Sequence, residues 1–203
     1  MPCKTPKHLL VTTMNRIVIL ASGSGSNAEN IINYFKDSTE TEVSCVLTNK
    51  VSAGVIDRCN RLKVPCLFFN KSAFVNSDTV LSILKSQKPT LIVLAGFLWK
   101  VPEKLVKAFP KKIINIHPAL LPKYGGKGMY GAHVHEAIKA NAETETGITI
   151  HYVNGNYDEG TIIYQTSTNI SKSDSSEDIA DKVHALEYNH FPKIIEKLLN
   201  DNG

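Results

Sequence analysis

Residues 113–122 read Ile113-Ile114-Asn115-Ile116-His117-Pro118-Ala119-Leu120-Leu121-Pro122, a β-branched run that ends in two polar side chains and a proline. Residues two apart on a strand share a face, so Asn115 and His117 are expected to project together. Pro118 lacks the N–H that a ladder needs, so the strand is expected to end where the imidazole emerges. Because open α/β sheets bind ligands at the carboxyl ends of their strands, this end is a candidate site. The same pattern would arise if Asn115 and His117 were hydrogen-bonded polar side chains at a strand end without a functional role.

Short apolar runs alternate with longer amphipathic segments in the first two thirds of the sequence. The runs lack the alternation of a sheet with one solvated face, which is typical of strands buried on both faces; they are Ile17–Ala21, Val43–Thr48, Cys66–Phe69, Leu91–Ala95 and Ile113–Ile116. Helical patterns cover residues 27–37, 53–63, 72–87, 102–108 and 132–141. This order predicts an α/β fold with a single doubly wound, mostly parallel sheet.

The pattern changes after residue 146. An alternating segment, Gly147–Val153, is followed by a polar loop and a further strand, Thr161–Thr166, which predicts a C-terminal antiparallel strand pair. A Ser/Asp-rich stretch, 171–178, then leads to a final helix of about 20 residues that is expected to end near Leu199. We predict one domain over residues 15–203 and a flexible arm over residues 1–14, since Met14 directly precedes the first strand.

Composition narrows the possible partners. The chain has 203 residues, 21% of them charged, and a net charge of +4, which is ordinary for a globular domain and too mild to predict a nucleic-acid partner. No apolar stretch reaches the length of a membrane helix or a signal peptide. The four cysteines form no C-x-x-C pair, which fits a reducing compartment, and the expected location is cytoplasmic. The sequence leaves a monomer and a homodimer open.

A glycine-rich segment, Ala21-Ser22-Gly23-Ser24-Gly25-Ser26-Asn27-Ala28-Glu29, follows the first predicted strand. Ser26 and Glu29 have the spacing of a capping box, so we expect a helix to start there. The free N–H groups of a helix N-terminus bind phosphate, which makes Gly25, Ser26 and Asn27 candidates. A tight turn between a strand and a helix would also favour glycine.

Three further segments could contribute to a site. The segment Leu94–Pro102 offers small residues and apolar walls that suit a flat heteroaromatic ligand, although ordinary core packing would explain it as well. Four glycines in residues 123–131 indicate a flexible loop, which is either a lid or a plain surface connection. Asp158 lies in a polar loop and matters only if the fold brings it beside His117.

Several classes of site are disfavoured. The histidines and cysteines show no metal-ligand spacing, and no G-x-S-x-G motif of a hydrolase is present. A dinucleotide oxidoreductase would need a third glycine and an acidic residue where Thr48-Asn49-Lys50 stands. A nucleotide-binding module without catalysis remains an alternative, but three separate motifs would then coincide by chance.

Together these segments resemble the folate-dependent formyltransferases over about residues 16–198, and most closely the members that formylate phosphoribosylglycinamide (GAR) in purine biosynthesis. The most specific segments are residues 113–124 and 147–160. The resemblance implies a Rossmann-like formyltransferase fold, 10-formyltetrahydrofolate as cosubstrate and no metal. It implies catalytic roles for Asn115, His117 and Asp158, GAR binding by Gly25, Ser26, Asn27 and Glu187, and folate binding by Leu98, Trp99, Lys100, Val101, Asn115, Asn154, Gly155, Asn156, Tyr157 and Asp158.

The family pattern is not matched everywhere. It usually has Ser where Ala119 stands and Arg with an apolar residue where Trp99-Lys100 stand, and loop 124–131 is longer here. Two related activities are disfavoured, because a methionyl-tRNA formyltransferase is expected to carry a further C-terminal domain and a formyltetrahydrofolate hydrolase an N-terminal regulatory domain. The substrates that the resemblance implies are therefore small molecules.

Overall fold

Seven strands form one sheet in the computed structural model, which describes residues 14–201. They are β1 (Asn15–Ala21), β2 (Thr41–Thr48), β3 (Cys66–Phe68), β4 (Leu91–Leu94), β5 (Ile113–His117), β6 (Glu145–Tyr152) and β7 (Ile162–Asn169), in the order β3-β2-β1-β4-β5-β6-β7. The first five pair in parallel, whereas β6 and β7 are antiparallel. The predicted fold class is confirmed. Apart from Met14, the predicted N-terminal arm lies outside the described residues.

Helices cover both faces of the sheet. They are α1 (Ser26–Phe35), α2 (Val55–Leu62), a π-helical turn (Ser72–Asn76), α3 (Thr79–Gln87), α4 (Glu103–Ala108), α5 (Ala132–Ala140) and α6 (Ser176–Asp201). In β1, Ile17 and Ile19 belong to the core formed with α1, α2 and α6, whereas Val18 and Leu20 belong to the core formed with α3 and α4. Because both faces are covered, the strand carries apolar residues at every position from Ile17 to Ala21.

The segment predicted as one helix over 72–87 is broken. The π-helical turn ends at Asn76, and α3 begins at Thr79. Between them the Ser77 hydroxyl donates to the Ala73 carbonyl at 3.3 Å and accepts from the Thr79 N–H at 3.4 Å. A short hydroxyl side chain that bonds the nearby backbone competes with the helical ladder, which explains the break.

The start of α1 lies where the sequence predicts it, but the predicted capping box is wrong. The N-cap is Gly25, which has a left-handed backbone (φ 79°) and makes no side-chain cap hydrogen bond. The carboxylate of Glu29 instead accepts from Arg58 and Arg61 of α2, because two charge-assisted contacts outweigh one bond to a backbone N–H.

A capping box does form at the start of α6. The Asp178 N–H donates to the Ser175 hydroxyl at 3.0 Å, while the Ser175 N–H donates to the Asp178 carboxylate at 2.8 Å. This cap lies inside the stretch predicted as a Ser/Asp-rich loop. The helix therefore has 26 residues rather than about 20, and it continues to Asp201.

None of the helices formed by residues 14–201 combines the length and the apolar character that crossing a bilayer requires. Cys45, Cys59 and Cys66 are free thiols, and burial raises the pKa of Cys45 to about 11, so that thiol stays protonated at neutral pH.

A crevice opens where the direction of strand addition reverses. From β1 the chain adds β2 and β3 on one side of the sheet and then crosses to place β4 and β5 on the other. The loops after β1 and β4 therefore diverge to opposite faces and leave a gap at the carboxyl ends of the strands. The glycine-rich loop and the end of β5 both border this gap.

We predict different stability costs at two glycines of the loop after β1. A Cβ at Gly25 would lie 2.4 Å from Cγ2 and 2.7 Å from Cα of Val55, at a positive φ, whereas a Cβ at Gly23 would meet nothing within 4 Å. Gly25→Ala should therefore lower the free energy of unfolding by about 2–4 kcal/mol, and Gly23→Ala by less than about 0.5 kcal/mol. Urea unfolding of both variants measures this, and equal losses would contradict it.

Candidate active site

A cavity of about 600 Å³ occupies the crevice at the carboxyl ends of β1, β4 and β5. Its walls come from seven parts of the chain: the loops after β1, β2 and β4, the end of β5 with the loop that follows it, α5, the loop between β6 and β7, and α6. The lining includes Ser22–Asn27, Lys50, Ala95–Leu98, Asn115–Pro118, Gly126–Gly131, His135, Tyr157, Asp158, His184 and Glu187.

Three polar side chains from distant parts of the sequence meet in this cavity. Asn115 Nδ2 donates to Asp158 Oδ1 at 3.3 Å, and His117 Nδ1 lies 3.5 Å from Asp158 Oδ2. Asn115 and His117 share a face of β5, and the loop between β6 and β7 delivers Asp158. The fold therefore brings Asp158 beside His117, a proximity that the sequence alone could not establish.

The Asp158 carboxylate is held by backbone as well as by side chains. Its residue adopts a left-handed φ of 54°, and its Oδ2 accepts from the Gly126 N–H at 3.0 Å. Burial acts to raise the pKa of Asp158, but the imidazoles of His151 and His117 and the Gly126 N–H hold this pKa below its ordinary value. The group is therefore an anion at neutral pH.

The His117 imidazole is buried and has a defined tautomer. Nε2 lies 2.7 Å from the carbonyl oxygen of Tyr124, which can only accept, so Nε2 carries a proton and Nδ1 faces Asp158. Burial lowers the pKa of His117 below its ordinary value, while Asp158 and the Tyr124 carbonyl act in the opposite direction and offset only part of that effect. Asp158 thus favours the imidazolium, but the resting ring is neutral at pH 7.

The glycine-rich loop after β5 closes over these side chains. Residues 126–131 line the cavity, and the backbone of Tyr124 and Gly126 occupies hydrogen-bonding positions on His117 and Asp158. A substrate that needs the Nε2 proton of His117 must displace the Tyr124 carbonyl.

The residues predicted to bind GAR lie together on the α1 side of the cavity. Gly25, Ser26 and Asn27 line it at the N-terminus of α1, and Asn27 Nδ2 donates to Glu187 Oε2 at 2.8 Å. Asn27 Oδ1 is buried and has no hydrogen-bond partner within the described residues. Burial raises the pKa of Glu187, and Asn27 and His184 counter this only in part.

The residues predicted to bind folate are divided between two cavities. Leu98 lines the first, where its N–H donates to the Ser22 hydroxyl at 3.0 Å, and Tyr157 lines both. The second cavity, of about 580 Å³, is lined by Lys71, Val75, Trp99–Glu103, Gly155 and Tyr157. Asn154 and Asn156 line neither cavity, since Asn154 Oδ1 accepts from the Asn156 N–H at 2.9 Å within their own loop.

Trp99 belongs to an aromatic cluster as well as to a cavity wall. Its ring centroid lies 6.0 Å from the centroids of Phe69 and Phe74 and 6.4 Å from that of Phe97. Core packing and a pocket wall were alternative explanations for this segment, and Trp99 takes part in both. The π-helical turn carries Phe74 into this cluster and places Val75 at the cavity.

Three histidines of this region are absent from the predicted site. His151 contacts both Asn115 and Asp158, and His135 and His184 line the first cavity with ring centroids 6.4 Å apart. His151 shares a face of β6 with Thr149, opposite the apolar residues Ile148 and Ile150. This polar face of an otherwise apolar strand is the sequence feature that could have placed His151 at the site.

Within residues 14–201 no group of three or more His, Cys, Asp or Glu side chains is arranged to hold a metal ion.

Comparisons with known proteins agree with this geometry. A profile described as formyl transferase matches residues 15–195. The chain is 32% identical over 195 residues to a phosphoribosylglycinamide formyltransferase of Bacillus subtilis, covering 94% of this chain and 97% of the relative. It is 35% identical over 186 residues to the chloroplastic phosphoribosylglycinamide formyltransferase of Arabidopsis thaliana, which covers 89% of this chain but only 64% of that relative's length. The crystal structure of the Bacillus halodurans phosphoribosylglycinamide formyltransferase superposes with a TM-score of 0.83 at 33% identity, covering 93% of this chain and 97% of that one.

We predict that His135 makes the fold sensitive to acid. Burial, then the like charges of His184 and His117, lower the pKa of His135 to about 4. Between that value and the reference value of about 6.5 the unfolded chain binds more protons, so stability falls as pH falls. The loss attributable to His135 between pH 7 and pH 5 is about 2 kcal/mol.

Urea unfolding at both pH values tests this prediction. His135→Gln should lose about 2 kcal/mol less than the unmodified chain on acidification. His133→Gln is the matched control, because His133 lies on the same helix with 61% of its side chain exposed. If both variants lose as much stability as the unmodified chain, His135 is not the group responsible.

Proposed function

The chain belongs to the formyl transferase family, and we propose on that basis that it transfers the formyl group of 10-formyltetrahydrofolate to the amine of GAR in purine biosynthesis. The names of the relatives support this substrate pair. One observation carries the proposal: Asn115, His117 and Asp158 meet in the same cavity as the N-terminus of α1 and Glu187. A reacting centre and a site suited to a phosphorylated sugar thus lie side by side.

The reaction that we propose is attack of the GAR amine on the formyl carbon. A tetrahedral intermediate forms, with negative charge developing on the formyl oxygen. Asn115 can stabilise this oxygen through its amide N–H groups, a contribution that is typically worth roughly 10²–10³ in kcat. The C–N bond to the folate then breaks, and the proton lost by the attacking amine is balanced by one gained at the departing folate nitrogen.

His117 and Asp158 would stabilise the charge of the oxyanion and assist the proton transfer between the substrates. His117 can donate its Nε2 proton to the developing oxyanion once the Tyr124 carbonyl is displaced. A proton taken up at Nδ1 would face the Asp158 carboxylate, which stabilises the imidazolium. Asp158 would also order a water molecule that relays protons between the two nitrogens of the substrates.

Binding is assigned to two ends of the crevice. The N-terminus of α1 at Gly25, Ser26 and Asn27 would hold the phosphate of GAR through backbone N–H groups, and Glu187 would accept from its ribose hydroxyls. The folate would reach from Leu98 toward the second cavity, whose lining includes Trp99, Lys100, Val101, Gly155 and Tyr157. A cytoplasmic location, a monomer or homodimer, and the domain over residues 15–203 remain predictions.

The proposed reaction predicts that release of the formyl group depends on GAR. Incubation with 10-formyltetrahydrofolate should yield tetrahydrofolate only when GAR is added, and in equal amount to formylated GAR. The absorbance change of the folate and mass spectrometry of the product measure both. Equal release with and without GAR would indicate a hydrolase and contradict the proposal.

We also predict that Asp158 acts through His117. Asp158→Asn removes the charge, and Asn tolerates the left-handed backbone at this position. The pKa of His117 should fall further, and kcat should drop roughly 10²–10⁴-fold with little change in GAR binding. His117→Ala should cost at least as much, and the double variant should be far less impaired than the product of the single losses.

Steady-state kinetics of the four proteins and NMR titration of His117 measure this coupling. Glu159→Gln is the matched control, because it removes a neighbouring carboxylate that bonds only Asn156 among the described residues. Fully multiplicative losses would show that Asp158 works independently of His117.

A further inference from the structure

We propose that His151 is a positioning residue of this site, which fixes the side-chain amide of Asn115 with its NH₂ group toward the reacting centre and toward Asp158. The inference rests on the proposed formyl transfer for its catalytic consequence. The tautomer and the hydrogen bonds that it requires can be tested without any substrate.

The pairing of β5 with β6 places His151 opposite Asn115. The two residues are direct partners in the antiparallel register, so their side chains project from the same face. His151 is 2% exposed and lies behind Asn115 rather than in the cavity wall. It therefore acts on the reacting centre through its neighbours, of which Asn115 is nearer to its Nε2 than Asp158 is.

Two contacts fix the tautomer of the His151 ring. Nδ1 lies 2.9 Å from the carbonyl oxygen of Tyr152, which can only accept, so Nδ1 carries the proton. In the neutral ring Nε2 is then an acceptor. The group nearest to it is Asn115 Nδ2, a donor, at 3.2 Å, whereas Asp158 Oδ1 lies farther away at 3.5 Å.

This tautomer leaves Asn115 with one favourable orientation. Its Nδ2 donates to His151 Nε2 at 3.2 Å and to Asp158 Oδ1 at 3.3 Å. Rotation of the amide would turn its carbonyl oxygen toward a lone pair and a carboxylate, which would repel it. A buried donor or acceptor that loses its partners is costly, so the rotated amide is disfavoured.

The consequence for the reaction follows from these two bonds. An oxyanion needs an N–H donor, and both amide protons of Asn115 are engaged in the resting site. If the longer bond to Asp158 is released to the formyl oxygen, the bond to His151 still holds the amide in place. Without His151, Asn115 could present its carbonyl oxygen to the developing negative charge.

Two substitutions separate positioning from a structural role. His151→Gln places an amide near Nε2 and can keep an acceptor for Asn115, whereas His151→Asn keeps a donor near Nδ1 for Tyr152 but leaves Asn115 without its partner. We expect His151→Asn to lower kcat roughly 10–100-fold with both KM values within about twofold, and His151→Gln to stay within about threefold of the unmodified enzyme. The reverse order would assign His151 to the support of the Tyr152 carbonyl and overturn the proposal.

A double substitution provides the second readout. In an Asn115→Ala background, His151→Asn should have almost no further effect on kcat, because it acts through the amide that is already absent. An equal further loss in this background would refute positioning through Asn115. His190→Asn is the matched control, since His190 bonds Tyr164 on another part of the sheet and should leave kcat unchanged.

The tautomer is measured independently of activity. In ¹⁵N NMR spectra at neutral pH without substrate, we expect His151 to carry its proton on Nδ1 alone and the Asn115 amide protons to be shielded from exchange with water. A proton on Nε2 would overturn the inference, even if the enzyme transfers formyl groups as proposed. Failure of GAR-dependent transfer, with the tautomer as expected, would overturn the proposed function and the catalytic role of His151 while leaving the positioning of Asn115 in place.

Discussion

A carboxylate buried in a protein must be surrounded by donors, and this requirement organises the site around Asp158. Its oxygens accept from Asn115 Nδ2 of β5 and from the N–H of Gly126, and the imidazoles of His117 and of His151 on β6 each lie 3.5 Å from one of them. Three segments that are far apart in sequence are thus tied to one side chain. Because an unpaired buried charge is costly, a displacement of any one of these segments affects the other two.

The sequence predicts the inner parallel strands β1, β4 and β5 well because they are buried on both faces and therefore contain continuous apolar runs. It also predicts that Asn115 and His117 share a face, since this follows from the strand geometry alone. The pairing of β5 with β6 is different. His151 lies opposite Asn115 because of the register between the two strands. That register depends on the loops and on the whole antiparallel pair, so it cannot be predicted from residue spacing within either strand.

Two segments with the spacing of a capping box have different outcomes in the structure. Ser26 and Glu29 have the spacing of a capping box, and so do Ser175 and Asp178, yet only the second pair forms one. The difference is that arginines of α2 lie within reach of Glu29. A local pattern predicts a local hydrogen bond only where no stronger distant partner competes for the same side chain. The loop residues Asn154 and Asn156 show the opposite case, in which local hydrogen bonds hold the side chains within the loop and away from both cavities.

Trp99 is the one tryptophan in the chain. It lies in contact with Phe69, Phe74 and Phe97 and in the wall of the second cavity. All tryptophan emission of the protein therefore originates at this wall. A change in the polarity of the second cavity would shift that emission without any label, whereas events confined to the α1 end of the crevice would not reach the indole directly. The aromatic cluster thus gives the chain a native optical probe at a single position.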